Sequence, residues 1–310
     1  MKILVTGGAG YIGSILVPDL LTEGHQVTVV DNFMYHQASL NHICAHENFK
    51  VIRGDIRLAD TMKPLIKDHD VIIPLAALVG APICNRDPVG AQTINHDAVI
   101  MMMEHVSKDQ WILMPTTNSA YGSGGEGNFC DETSPLRPLS KYAIDKVAIE
   151  KRLMDHSNAI SFRLATVFGM SPRMRIDLLV NDFVYRAVND GFVVLFEANF
   201  KRNYIHVRDV SLAFRHGINN FDQMRSNVYN VGLSEANVSK QELCAAIKKH
   251  LPEFVYIEEK FKADPDQRNY IVSNEKIESA GYSPEITLNK GIQELIKGYQ
   301  MINNKIHGNV

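Results

Sequence analysis

The chain has 310 residues, generous for one domain and tight for two independent ones, and long enough to bury a substantial core. Its 35 acidic against 32 basic residues leave it slightly acidic, which excludes a general nucleic-acid or membrane-surface binder held by excess positive charge. Cys44, Cys84, Cys130 and Cys244 lie far apart without C-x-x-C spacing, so reduced thiols in a cytoplasmic protein are expected and a metal site is not. No stretch approaches the apolar length that crosses a bilayer. Met1–Val5 already reads as a strand, leaving no room for a signal peptide.

In chain order, apolar β-branched runs predict strands at Ile3–Val5, Val27–Val30, Val51–Ile52, Val71–Leu75, Ile112–Met114 and Ile160–Leu164. The stretches between them are long enough for crossover helices, among them Ile12–Glu23, Pro88–Ser107 and Ser140–His156. Strands separated by helices imply an α/β fold: a parallel sheet covered on both faces, doubly wound in the Rossmann manner. After Gly169 the rhythm loosens. Strand-like runs return at Tyr204–Val207 and Val228–Val231, and helices are expected over Ser239–His250 and Leu288–Met301.

Directly after the first strand comes Gly7-Gly8-Ala9-Gly10-Tyr11-Ile12-Gly13. Gly7, Gly10 and Gly13 stand at the spacing of a dinucleotide fingerprint: a tight turn, a backbone that lets a pyrophosphate approach, and a helix packed closely on its strand. The helix N-terminus then offers N–H groups to the phosphates, with Tyr11 and Ile12 in the turn. Val27–Val30 runs into Asp31, followed by Asn32, close to the offset of about 20 residues at which an acid binds the adenosine ribose. A carboxylate there accepts ribose hydroxyls and repels a 2′-phosphate, which selects NAD over NADP. Residues 1–170, with strands returning from about 204–232, are therefore expected to form a dinucleotide-binding domain, and 171–203 with 233–310 a smaller α/β substrate lobe.

Tyr142 and Lys146 are four apart on one expected helix, hence on one face. An ammonium beside a phenol favours the phenolate and makes tyrosine a usable general base. Upstream, a strand ends in Thr116-Thr117-Asn118-Ser119, which places hydroxyls at the carboxyl edge of the sheet, where doubly wound folds bind ligands.

Occurring in this order, these motifs resemble the extended short-chain dehydrogenase/reductase family of nucleotide-sugar epimerases, dehydratases and dehydrogenases, over nearly the whole chain. The resemblance implies a homodimer and roles for further residues. Asp55-Ile56 matches the adenine-contacting segment, Leu75-Ala76-Ala77 the strand end along the cofactor, and Asn95 the asparagine of the central helix. Thr116 falls beside the cofactor, and Thr117 takes the place of the catalytic Ser or Thr. Arg202, in Arg202-Asn203-Tyr204-Ile205-His206, and Arg268, in Asp266-Gln267-Arg268-Asn269-Tyr270, match arginines that hold a substrate diphosphate. His206 reads as structural. Thr166 stands where the family usually has an asparagine near those phosphates.

The family resemblance implies a shared first step: Tyr142 takes a proton from a sugar hydroxyl, usually at C4, while hydride leaves that carbon; Lys146 steadies the phenolate and Thr117 the developing oxyanion. A 4,6-dehydratase needs a further acid and base after the Thr, and Asn118 and Ser119 do not titrate usefully there. Dehydrogenase and 4-epimerase remain open on chemistry alone. Residues 75–82, Thr117-Asn118-Ser119 and 171–182, including Arg173 and Asn181, are similar to the branch of GDP-heptose C4 dehydrogenases serving bacterial capsular polysaccharide synthesis. That resemblance implies GDP-D-glycero-α-D-manno-heptose or a close GDP-sugar, met by Asn118, Ser119, Arg173 and Asn181. A competing class, an NAD-sensing regulatory protein, would bind the cofactor without needing Tyr142, Lys146 and Thr117 together.

Overall fold

The computed structural model describes residues 1–123, 129–259 and 269–302. β1 (Lys2–Thr6), buried after its first residue, turns through glycines into α1 (Gly13–Thr22). β2 (Gln26–Asp31), β3 (Phe49–Arg53), α2 (Ala59–Lys67) and β4 (Val71–Pro74) follow. α3 (Ala81–Arg86) comes next, and where one helix was expected over Pro88–Ser107 the chain instead builds α4 (Pro88–Ala91), a π-helical stretch at Gln92–Asp97 and α5 (Ala98–His105). The first half closes with β5 (Trp111–Thr117), the short β6 (Phe129–Cys130), α6 (Lys141–Leu153) and β7 (Ala159–Leu164).

The second half begins with β8 (Thr166–Phe168), α7 (Leu179–Asn189), β9 (Phe192–Leu195) and β10 (Lys201–His206). It continues with α8 (Val207–Asn219), α9 (Phe221–Met224), β11 (Asn227–Val231) and β12 (Asn237–Ser239). Last come α10 (Lys240–Lys248), β13 (Val255–Glu258), β14 (Ile271–Val272), α11 (Glu275–Ser279) and α12 (Leu288–Tyr299). The N-terminus of α10 is a full capping box: Ser239 accepts from the Glu242 N–H, and Glu242 reaches back to the Ser239 N–H.

Seven strands pair in parallel in the order β11–β7–β5–β4–β1–β2–β3, as the doubly wound reading requires. Strand order reverses at β1, which pairs with β2 on one side and β4 on the other. Thr6 lies level with Val30 and Pro74, so three strand ends open together at the crevice where such folds bind ligands. One face carries α2, α5 and α6 through Met62, Ile66, Met102, Ile149 and Leu153. The other carries α1 and α8, where Leu16, Val17, Leu20 and Phe214 are wholly buried. Each such aliphatic side chain contributes roughly 1.5–3 kcal/mol by leaving water.

The strand at 201–206 does not return to this sheet. β8 splays away after Ala165 and takes β10 as its parallel partner, Tyr204 beside Thr166, while β12 adds antiparallel on the far side. Of the strands expected to come back from 204–232, β11 alone joins the main sheet. All four cysteines are free, Cys44 exposed and the others buried. Among the described residues no helix is long and apolar enough to cross a membrane.

Candidate active site

A cavity of about 820 Å³ opens at the carboxyl edge of the sheet. It runs from the glycine turn and Asp31, past Tyr142 and Lys146, to Arg202 and Tyr270. That volume falls within the range of ligand sites for cofactors and small molecules.

The turn shows why its residues are glycine. Gly7 has φ of +68°, and a Cβ there would stand 2.6 Å from the Ala76 backbone. At Gly13 a Cβ would stand 2.5 Å from the Gly8 carbonyl oxygen, so only glycine lets α1 close over the turn. Gly10, Tyr11 and Ile12 line the cavity between them. Asp31 accepts the N–H groups of Ala9 (3.0 Å) and Phe33 (2.7 Å). Burial raises its pKa, and those two bonds and Arg173 work against the shift. Phe33 adopts φ of +55°, a strained left-handed conformation that begins a loop, residues 33–37, lining the same corner. There the Tyr35 hydroxyl is buried without a hydrogen-bond partner. Asn32, Asp55 and Ile56 line this end too, with Asp55 ion-paired to Arg57 at 2.5 Å.

This corner suits an adenine dinucleotide: a backbone cradle that a Cβ would fill, an acid at the ribose position and an orphaned hydroxyl. Leu75, Ala76 and Ala77 continue the wall toward the middle of the cavity, where Thr116, Thr117, Tyr142 and Lys146 converge. The Ser140 hydroxyl caps α6 by accepting the Ala143 N–H at 3.2 Å, so the helix that bears Tyr142 and Lys146 starts at the cavity. Lys146 is 4% exposed and donates to the Pro115 carbonyl at 3.0 Å. Burial pulls its pKa down to about 8, and neighbouring Asp145 acts in the opposite direction. Tyr142 is half-buried against the cluster of Leu78, Ile83, Cys84 and Ala91. Thr117 accepts the Ser119 N–H at 3.1 Å, leaving its own proton for an oxygen in the cavity. Thr116 lines the wall, but its hydroxyl is engaged with Glu150 (3.0 Å) and Ser161 (2.8 Å), so its contribution to a ligand is steric.

At the far end stand Arg202, 4% exposed, with Thr166 and Tyr270, while the Arg175–Asp177 ion pair of 2.5 Å lies near Tyr11, Tyr35 and Arg173, with Asp182 beside it. Ser119 lines the cavity; Asn118 is buried behind it with both amide atoms unpartnered. Three asparagines expected as contacts, Asn95, Asn118 and Asn181, do not line the cavity. Asn95 is wholly buried and bonds both the N–H and the carbonyl of Leu78, holding up the cavity's wall. Asn181 is likewise wholly buried: it accepts the Gly169 N–H and donates to the Arg175 carbonyl and the Tyr11 hydroxyl. Both position the wall from behind. Arg173, expected at the substrate, instead lies over the Tyr35 ring at 3.8 Å, in the corner of Asp31. Arg268 lies outside the described residues. His206 is wholly buried, its Nε2 3.4 Å from Glu294, and does not line the cavity. Tyr35, Tyr270 and Asp182 were not assigned to the site from the sequence: Asp182 and Tyr270 fell within strings that resemble the family without being given a role, and Tyr35 fell within none.

A glycine turn at the switch point of a parallel sheet, an acid after the second strand and a Tyr-x-x-x-Lys helix facing one cavity define a dinucleotide-dependent oxidoreductase of the short-chain type. The chain belongs to the NAD dependent epimerase/dehydratase family, which it matches over residues 3–232, and NAD is its cofactor. It is 26% identical to CDP-paratose 2-epimerase of Salmonella typhi, across 95% of this chain and 98% of that protein. It is also 26% identical to the low-salt glycan biosynthesis protein Agl12 of Haloferax volcanii, across 96% and 98%. The structure of UDP-glucuronic acid 4-epimerase from Bacillus cereus, in complex with UDP-glucuronic acid and NAD, superposes with a TM-score of 0.86 over 97% of this chain and 99% of that one. At 22% identity that likeness shows the fold.

Proposed function

We propose that this enzyme oxidises the C4 hydroxyl of a nucleotide-diphosphate sugar to the 4-keto sugar, and that its substrate is GDP-D-glycero-α-D-manno-heptose or a close GDP-sugar, on a route to capsular polysaccharide. The observation that carries the reading is that Tyr142, Lys146 and Thr117 line one cavity with the glycine turn and Asp31, while Arg202 lines its other end. NAD, when bound, supplies the hydride acceptor. Tyr142 takes the hydroxyl proton onto its phenolic oxygen, Lys146 holds the resulting charge pattern, and the Thr117 hydroxyl donates to the sugar oxygen as it becomes a carbonyl. Arg202, with Arg268, pairs with the diphosphate, where a planar guanidinium can hold two oxygens at once. Segments 171–203 and 233–310 serve as the substrate lobe.

Elimination of water is disfavoured because Asn118 and Ser119 follow Thr117 and supply neither acid nor base. The GDP-heptose assignment rests on likeness of residues 75–82, 117–119 and 171–182 to that branch. A second reading, 4-epimerisation, draws support from a relative in Methanocaldococcus jannaschii named as a putative UDP-glucose 4-epimerase, 28% identical across 95% of this chain and 97% of that protein. A homodimer through α5 and α6 agrees with the exposed apolar Val89, Leu139 and Ile144 beside or on those helices, and light scattering tests it.

The deciding experiment incubates the protein with GDP-heptose and with UDP-sugars, following absorbance of reduced cofactor and the configuration of the product. A keto sugar with stoichiometric reduced cofactor supports oxidation. An interconverted sugar without net redox replaces it with the epimerase, and no reaction on any nucleotide sugar overturns both.

A further inference from the structure

We propose that Arg173 is a cofactor-binding residue: its guanidinium closes over the glycine turn and pairs with the diphosphate of the dinucleotide, not with that of the sugar substrate. Two loops, far apart in sequence, are tied to the turn and meet above it. The first follows β2: the Ser39 hydroxyl donates to the Ala9 carbonyl at 2.8 Å. The second follows β8: the Ser171 hydroxyl donates to the Tyr11 carbonyl (2.8 Å) and bonds the Ser14 hydroxyl (2.8 Å). The Arg173 N–H also meets the Ser14 hydroxyl, at 3.3 Å, and the Tyr11 hydroxyl donates to the Gly169 carbonyl at 2.6 Å. These bonds fix Arg173 relative to the backbone that receives the pyrophosphate. Side chains of the two loops then join, with the Arg173 guanidinium 3.8 Å above the Tyr35 ring.

The charges in the cavity favour the same assignment. Among its described residues, the lysine and arginines are Lys146, Arg173, Arg175 and Arg202. Lys146 sits under Pro115, Arg175 is paired with Asp177, and Arg202 is on the strand that pairs with β8 and β12. Arg173 is bonded through its own N–H to Ser14 of α1, whereas nearby Arg175 is held by Asp177, and α1 carries no acidic residue in its first turn. A helix N-terminus opposite a guanidinium makes a two-sided anion clamp. The Tyr35 hydroxyl, buried without a partner in the same corner, leaves polar capacity for the ligand.

The test is calorimetric binding of NAD+, adenosine, and whichever of GDP and UDP the wild type binds, to wild type, Arg173→Met and Arg173→Lys. Methionine keeps the packing against Tyr35 and removes the charge. The Kd for NAD+ is expected to rise roughly ten- to hundredfold, the loss of a charge-assisted contact. Adenosine and the nucleoside diphosphate should bind as before, and lysine should restore part of the NAD+ affinity. An NAD+ affinity within about twofold of wild type overturns the proposal, on the tenfold-per-1.4-kcal/mol scale of binding energies. So does an equal loss for adenosine, or a loss confined to GDP or UDP. Failure of both GDP and UDP to bind the wild type would count against the proposed substrate class, while the comparison of NAD+ with adenosine still decides the role of Arg173. Should Arg173→Met not fold, the lysine variant decides by the same comparison.

Discussion

In the proposed mechanism Tyr142 and Lys146 divide the chemistry between a group that moves a proton and one that sets the field around it. Replacing Tyr142 with Phe removes one oxygen from a half-buried ring that still packs on Leu78 and Ile83. Single-turnover oxidation of the nucleotide sugar should fall roughly hundred- to ten-thousandfold, while NAD+ binding measured by calorimetry persists. Unchanged turnover would remove Tyr142 from the mechanism. Lys146 makes a second prediction through its burial. Its pKa is lowered from 10.5 to about 8, so between those values the folded protein binds fewer protons than the unfolded chain. Stability from this group therefore rises with pH across that window and is lost as pH falls toward 8. The shift corresponds to about 3 kcal/mol, at 1.36 kcal/mol for each pKa unit. Denaturation of wild type and Lys146→Met should show wild type gaining on the variant from pH 8 to 10.5. A difference that stays flat over that window would show that the ammonium is not desolvated.

At the scale of elements, buried amides set the cavity's shape from behind. Asn181 on α7 ties β8's exit at Gly169, the Arg175 carbonyl and the Tyr11 hydroxyl together. Asn181→Ala leaves those three groups short of a partner in a dry interior and should cost about 2–4 kcal/mol in urea unfolding. The same change should weaken NAD+ binding, because the segment carrying Arg173 loses its anchor; a variant as stable as wild type would refute this account. These asparagines mark the limit of what the sequence discloses. Gly7, Asp31, Tyr142 and Lys146 were readable because their work depends on local geometry: a turn, a strand end and one face of a helix. Asn95 and Asn181 were visible as polar residues, but which way they point depends on a π-helical stretch and on the loop after β8, both products of packing. The strand at 201–206 was likewise readable as a strand, while its partner, β8, was not, since pairing across about 40 residues leaves no local trace. Tyr35 carries no periodic or motif signal, and its place opposite Arg173 follows from two loops converging on the turn.

Across the whole molecule, one continuous core runs from β1 and α1 into the second half. Ile3, Val5 and Leu16 belong to the same buried cluster as Phe183, Leu195, Leu243 and Leu295. Hydrogen bonds cross the same boundary: the Ser171 hydroxyl donates to the Tyr11 carbonyl at 2.8 Å, the Asn181 amide to the Tyr11 hydroxyl at 3.1 Å, and Arg208 to Glu294 at 3.0 Å. The proposed dinucleotide domain and substrate lobe, joined in this way, cannot lose one part without exposing apolar surface on the other, so the chain should unfold as a single unit. Scanning calorimetry is expected to give one transition whose van't Hoff and calorimetric enthalpies agree. NAD+ at about a hundred times its Kd should stabilise that transition by about 2.7 kcal/mol, because the ligand binds only the folded form. NADP+ at the same concentration should shift it far less, since the partly buried Asp31 carboxylate would face a 2′-phosphate. Two resolved transitions, one of them insensitive to NAD+, would mean that the lobes fold independently and that the shared core does not couple them. Equal shifts with NADP+ would mean that Asp31 does not select the cofactor.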